Sequence, residues 1–282
     1  MHGQGEVGAF LVSKMLEALS KAKLSYLRKL RQKKFREQEG LFALEGWHLL
    51  EDAIASDWVV RMIVVERGRK LSVEQSELLN KVRERDIIVY EAEKSQLDGV
   101  ADTIACQGVL ALAERVRRSW DSFLSEHDGQ AEVRLIAMDA VGDPGNCGSI
   151  LRSADWFGLD GAILGSGSAE LENGKTARST MGALFHIPVF IGGGLPERLE
   201  ALRDRGFKIF SAELGGAENL FEFSWPEKAV LVIGNEAHGV SEEVSSLCDG
   251  RIMIPRFGGA ESLNAAMAAS VMLSHWRMVN DG

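Results

Sequence analysis

Residues Leu231–Ser270, LVIGNEAHGVSEEVSSLCDGRIMIPRFGGAESLNAAMAAS, decide how the rest of the chain is read. An apolar run leads to a glycine turn and a short helix. A second apolar run leads to a glycine loop and a helix of small residues. The runs Ala229–Ile233 and Arg251–Ile254 are short and bounded by turn residues, which predicts strands. The spacing predicts a final helix from Ser262 or just before it, carrying Ala265, Ala266, Ala268 and Ala269. Alanines let another backbone or a ligand come close without loss of helix propensity. Two polar clusters fall where these strands end: Gly234-Asn235-Glu236 and Glu261-Ser262-Leu263-Asn264. Ligands of α/β sheets bind at the carboxyl ends of strands, so chemistry is expected at these clusters.

Working back toward the N-terminus, VRLIAMD predicts a strand that runs into Gly142-Asp143-Pro144-Gly145-Asn146 and a helix Gly148–Phe157. Glycines and proline there demand a sharp turn. Strands GAILG, IPVFIG and FKIFSAEL alternate with helices up to the opening stretch, so residues 132–282 form one α/β domain. The polar stretch 115–131 breaks the pattern and is expected to be a linker. Residues 21–114 alternate in the same way, which predicts a smaller three-layer α/β domain. Residues 1–20 read as a helical extension.

At 282 residues the chain has room for two domains. No apolar run approaches the ~18 residues of a membrane span. MHGQGEVGAFLVSKML lacks the basic start and long apolar core of a secretory peptide. Cys106, Cys147 and Cys248 are too few and too scattered for a disulfide framework or zinc site, so a cytoplasmic protein without metal is expected. The net charge of −9 opposes wholesale nucleic-acid binding, yet Lys21, Lys23, Arg28, Lys29, Arg31, Lys33, Lys34 and Arg36 form a run with no acidic residue. Such a stripe grips phosphates even on an acidic protein. Its bland alternative is a solvated helix face.

Taken singly, the polar residues are ordinary. Asn146 suits a turn or helix cap, Arg152 a surface, and Glu236 and Ser262 a helix start. Asn264 is less expected within a first helical turn. Together they carry a resemblance. DAVGDPGNCGSILRSADWFG (Asp139–Gly158), IGNEAHGVS and IPRFGGAESLNAAMAAS resemble, in order, the three motifs of the SpoU/TrmH RNA 2′-O-ribose methyltransferases. The likeness spans roughly Arg134 to Asn280. Residues 21–114 more loosely resemble the substrate-binding domain that precedes the catalytic domain in many members.

The resemblance implies a trefoil-knotted α/β methyltransferase domain behind an α/β RNA-recognition domain, working as a homodimer. It implies S-adenosylmethionine as cofactor, contacted at Gly234, Ile254 and Leu263. It makes Arg152, Asn146, Glu236, Ser262 and Asn264 the catalytic set. The substrate is structured RNA, with 23S ribosomal RNA favoured by the N-terminal domain. Transfer RNA, or RNA binding without catalysis, are the alternatives. Two other motifs carry less. Ala169–Thr176 fits a relaxed phosphate-binding loop, but two carboxylates and a missing first glycine argue against it. Cys147 has no basic partner in sequence and reads as a packed residue rather than a nucleophile.

Overall fold

The computed structural model describes residues 17–281 apart from Asp86, Ile104, Ala105, Arg115 and Gly216, with Asp281 described by its backbone alone. The chain divides after Val116 into two compact units, the first also taking Glu172–Gly174.

The first unit holds a sheet of β1 (Glu17–Ala18), β2 (Leu41–Glu45), β3 (Val60–Glu66), β4 (Ile88–Ala92) and β5 (Val109–Glu114), in the order β1-β4-β3-β5-β2. Ile63, Val64 and Val65 are all buried. Successive strand residues point to opposite faces, so both faces of the sheet are covered. Helix α1 (Lys21–Lys29), capped by Ser20, buries Leu24 and Leu27 against Val64, Tyr90 and Leu112 on one face. Helix α2 spans Lys33–Glu39, and α3 (Trp47–Ala55) packs on β2 and β5. Helices α4 (Val73–Glu84) and α5 (Lys94–Asp98) complete the unit. The basic run is therefore two helices, broken by a turn at Leu30–Gln32. Of the helix expected over 1–20, residues 1–16 lie outside the described residues. Glu17–Ala18 is a strand paired with β4, which corrects that part of the expectation.

The second unit opens with α6 (Trp120–Glu126), inside the stretch expected to be a linker. Phe123 and Leu124 are buried in its core with Val133, Phe190, Leu199 and Val232. The sheet contains β6 (Val133–Asp139), β7 (Gly161–Leu164), β8 (Val189–Ile191), β9 (Lys208–Ala212), β10 (Glu218–Asn219), β11 (Lys228–Gly234) and β12 (Gly250–Met253). Their order is β10-β12-β9-β11-β6-β7-β8, and all pairs are parallel. Parallel sheets are buried on both faces, and β6 is buried along its whole length.

Strands β6 and β11 lie side by side, with Gly234 opposite Asp139. From β6 the chain moves outward to β7 and β8; from β11 it moves to β12 on the other side. The carboxyl ends of β6 and β11 thus frame a topological switch point. Four helices follow the strands: α7 (Pro144–Trp156), α8 (Gly174–Ser179), α9 (Leu195–Arg203) and α10 (Glu242–Ser245). The last helix, α11 (Ala265–Asp281), packs on α7, where Ser153 and Ser270 meet at 2.7 Å. Small Ala154, Ala266 and Ala269, all buried, permit this approach.

Candidate active site

Two loops are clamped together at the switch point. After β6, Ala140 takes φ +56°, a left-handed conformation that a non-glycine residue adopts at a cost of roughly 1 kcal/mol or more. Its carbonyl accepts from Asn235 Nδ2 at 2.8 Å. Buried Asp139 accepts from the Ser241 N–H at 2.7 Å. The turn after β11 is closed by Asn235 and Gly239, which exchange backbone hydrogen bonds of 2.9 and 2.8 Å. A Cβ on Gly234 would stand 2.2 Å from the Gly239 carbonyl carbon. The glycine is thus demanded by the protein's own turn, before any ligand is considered.

Helix α7 starts from Asp143, whose carboxylate accepts from the Asn146 N–H at 2.9 Å, with Pro144 in the first turn. Lys175 on α8 bonds the other oxygen of Asp143 at 2.9 Å and holds its carboxyl below the usual range, helped by the N–H groups of the cap. Glu236 reaches across from the neighbouring turn. Its carboxylate accepts from the N–H groups of Gly142 and Asp143, each at 3.3 Å, and from Asn146 Nδ2 at 2.8 Å. Burial raises the Glu236 pKa, but the hydrogen bonds from Asn146 and the two backbone groups outweigh it and hold the carboxyl below its ordinary value.

Asn146 Oδ1 in turn accepts from Asn264 Nδ2 at 2.8 Å. Asn264 does not lie inside the last helix, as the sequence suggested. The helix begins at Ala265, and Asn264 is its cap: Oδ1 accepts from the N–H groups of Ala266 and Met267 at 2.9 and 3.3 Å. This removes the apparent conflict, because Asn is poor in a helix interior and among the best residues at an N-cap.

Three expected catalytic residues, Asn146, Glu236 and Asn264, therefore form one directed chain from backbone amide to carboxylate. Arg152 lies further along α7, exposed, its side chain without a hydrogen bond or ion pair among the described residues. Glu236 is bonded to Asn146, not to Arg152. Ser262 is exposed in the segment between β12 and α11, with Leu263 beside it at 46% exposure. Ile254 directly follows β12 and is half-buried. Cys147 is fully buried, and its thiol is pushed up to about 12, first by burial and then by Glu236 and Asp143. A neutral thiol is no nucleophile.

In the first unit, the eight basic residues do not share one role. Arg31 pairs with Asp102 at 3.0 Å, Lys33 with Glu37 at 4.0 Å, and Arg36 donates to the Leu30 and Arg31 carbonyls. Lys23 lies 4.5 Å over the Tyr90 ring and Lys29 5.8 Å over Phe35. The side chains of Lys21, Arg28 and Lys34 have no hydrogen bond or ion pair among the described residues. The sequence reading gave no structural role to Asp139, Asn235 or Lys175. Only Asn235 left a local signal, a turn-forming residue directly after Gly234.

Residues 134–274 match the model of the SpoU rRNA Methylase family, and residues 21–111 match an MRM3-like substrate binding domain. The chain belongs to the SpoU rRNA methylase family. It is 33% identical over 264 residues to the 23S rRNA (guanosine(2553)-2′-O)-methyltransferase RlmP of Bacillus subtilis strain 168, covering 94% of this chain and 99% of that protein. The SpoU methyltransferase AviRb of Streptomyces viridochromogenes, solved with AdoMet, is 27% identical with a TM-score of 0.80, over 92% of this chain and 98% of that one. An AdoMet-bound rRNA methyltransferase from Sinorhizobium meliloti is 27% identical with a TM-score of 0.81, over 94% and 97%. The chain is accordingly an RNA ribose-2′-O-methyltransferase that uses S-adenosylmethionine. The trefoil knot is implied by membership of this family.

Proposed function

We propose that this enzyme methylates the 2′-hydroxyl of one nucleotide of 23S ribosomal RNA, as a cytoplasmic homodimer. The observation that carries the reading is the Asn264–Asn146–Glu236 chain, placed at the switch point on the helix that bears an unpaired Arg152. The likeness to RlmP runs along nearly the whole chain, including the first unit, and favours ribosomal over transfer RNA. No helix among the described residues is long and apolar enough to cross a membrane. The second unit leaves Trp156 on α7 and Met267, Val271 and Met278 on α11 exposed. An apolar stripe of this kind supports a second copy as its cover.

The site residues fit the cofactor. Ile254 and Leu263 offer accessible apolar surface at the carboxyl edge of the sheet, and Gly234, packed against the Gly239–Val240 backbone, lets the turn beside them close. When bound, S-adenosylmethionine supplies a methyl group on a positively charged sulfur, already a strong electrophile. The chain's task is then to position and to handle charge. Arg152 brings a guanidinium, a planar cation with five N–H donors and no acceptor. It grips a phosphate beside the target ribose and stabilises negative charge growing on the 2′-oxygen. Asn146, locked from both sides, holds the ribose edge, while Ser262 and Asn264 orient the nucleophile. Residues 21–114 act as the RNA-recognition domain, with Lys21, Arg28 and Lys34 free for phosphates, and residues 132–282 act as the catalytic domain.

The test maps 2′-O-methyl groups on all RNA from cells lacking the gene against wild type. Loss of one 23S mark is expected. Loss confined to transfer RNA would select the tRNA alternative. No lost mark, with no S-adenosylmethionine binding by calorimetry, would select a silent RNA-binding factor.

A further inference from the structure

Methyl transfer leaves a proton to be removed from the 2′-hydroxyl, and the residues described so far do not take it. A guanidinium such as that of Arg152 is a donor only and has no lone pair for a proton. The Cys147 thiol is buried and neutral. Asp143 is held by Lys175 and by the start of α7. Glu236 accepts three hydrogen bonds that favour its ionised form and hold its carboxyl below the ordinary value, which makes it a weak base.

His238 lies two residues beyond Glu236 on the clamped turn, and it is exposed. Its Nδ1 is 3.1 Å from Asn235 Oδ1. The roles of the Asn235 amide are fixed by backbone groups that cannot exchange theirs. Nδ2 faces the Ala140 carbonyl, and Oδ1 faces the N–H groups of Ala237 and His238 at 2.9 and 3.2 Å. Oδ1 can only accept, so the hydrogen of a neutral imidazole sits on Nδ1. The lone pair is then on Nε2, which has no partner among the described residues. This ring is anchored through Asn235 to the same loop that Glu236 grips.

We propose that His238 is the general base of the reaction. The proposal rests on the ribose-methylation reading above. The 2′-oxygen forms its bond to the methyl carbon while the carbon–sulfur bond breaks and leaves its electron pair on sulfur. The O–H bond breaks as its proton passes to Nε2, and the imidazolium returns that proton to solvent. Charge and atoms balance without a further reactant.

The test uses full-length enzyme and ribosomal RNA from cells lacking the gene, with radiolabelled S-adenosylmethionine, under single-turnover conditions. His238→Asn keeps an amide donor for Asn235 and removes the base; His238→Ala opens room for free imidazole. General-base removal typically costs about 10²–10⁴ in rate. Both variants should fall by at least about 10²-fold, with RNA and cofactor affinity unchanged, and added imidazole should restore part of the His238→Ala rate. Nitrogen-15 NMR of the wild-type ring should place its hydrogen on Nδ1. Wild-type turnover by His238→Asn, absence of imidazole rescue, or a hydrogen on Nε2 would each overturn the assignment. If wild-type enzyme itself methylated no ribosomal RNA, the ribose-methylation reading would fall first and take this one with it.

Discussion

Asn264 does two jobs, and one substitution separates them. Its Oδ1 caps α11, and its Nδ2 donates to Asn146. Asn264→Asp keeps an oxygen facing the Ala266 and Met267 N–H groups, and Asp caps helices as well as Asn does. The other terminal atom changes from donor to acceptor and meets Asn146 Oδ1, formerly 2.8 Å from a donor. Asn146 can turn its amide over and donate to the new carboxylate. Its Oδ1 would then face the Glu236 oxygen that its Nδ2 now bonds at 2.8 Å. One link of the chain breaks either way.

A neutral hydrogen bond contributes about 1 kcal/mol and one to a charged group about 1.5–3 kcal/mol. At about 1.4 kcal/mol per decade, the expected loss in methyl-transfer rate is roughly 10- to 10²-fold. Melting temperature should fall less than in a variant that also loses the cap. Asn264→Ala removes the cap as well, at about 1 kcal/mol of helix stability, and should melt a few degrees lower. Single-turnover methylation with saturating RNA and cofactor reads the first effect, and thermal melting reads the second. If Asn264→Asp methylates at the wild-type rate, the chain does not position the reacting groups. If it melts as low as Asn264→Ala, the side chain is not the cap described here.

Three further outcomes follow from the same geometry. Arg152→Ala should lose about 10²–10³ in rate with cofactor affinity unchanged by calorimetry; partial recovery in Arg152→Lys would mean that charge matters more than the planar fork, and full activity in Arg152→Ala would remove the residue from the mechanism. Gly234→Val should destabilise the second unit even without cofactor, because its side chain meets the Gly239–Val240 backbone; a variant that melts like wild type would contradict the turn geometry. Changing Lys21, Arg28 and Lys34 together to Ala should flatten the dependence of log affinity on log salt by roughly 2–3 units, at about 0.7–0.9 per phosphate contact; an unchanged slope would place the RNA elsewhere.

The sequence carried the alternation of strands and helices because each element announces itself over a few residues. β6 and β11 are apolar runs, and the Gly142–Asn146 turn has its own chemistry. It also carried the motif residues, through their likeness to a family. What it could not carry is which side chain meets which. Asn146 and Glu236 are 90 positions apart, and Asn146 and Asn264 are 118 apart. Their contact depends on β6 lying next to β11, a pairing that no local pattern encodes. Without it, nothing joins Glu236 to Asn146, and Asn264 reads as a residue inside a helix. Burial was hidden for the same reason. The stretch 115–131 reads as polar, yet Trp120, Phe123 and Leu124 fall at the i, i+3 and i+4 spacing of one apolar helix face that only the folded second unit covers. The basic run shows the limit from the other direction. Eight like charges look equivalent along the chain, but Arg31 and Arg36 are bound to the first unit itself. Long-range partners, not residue types, decide which cations remain for RNA, and that is why the salt-slope variants are Lys21, Arg28 and Lys34.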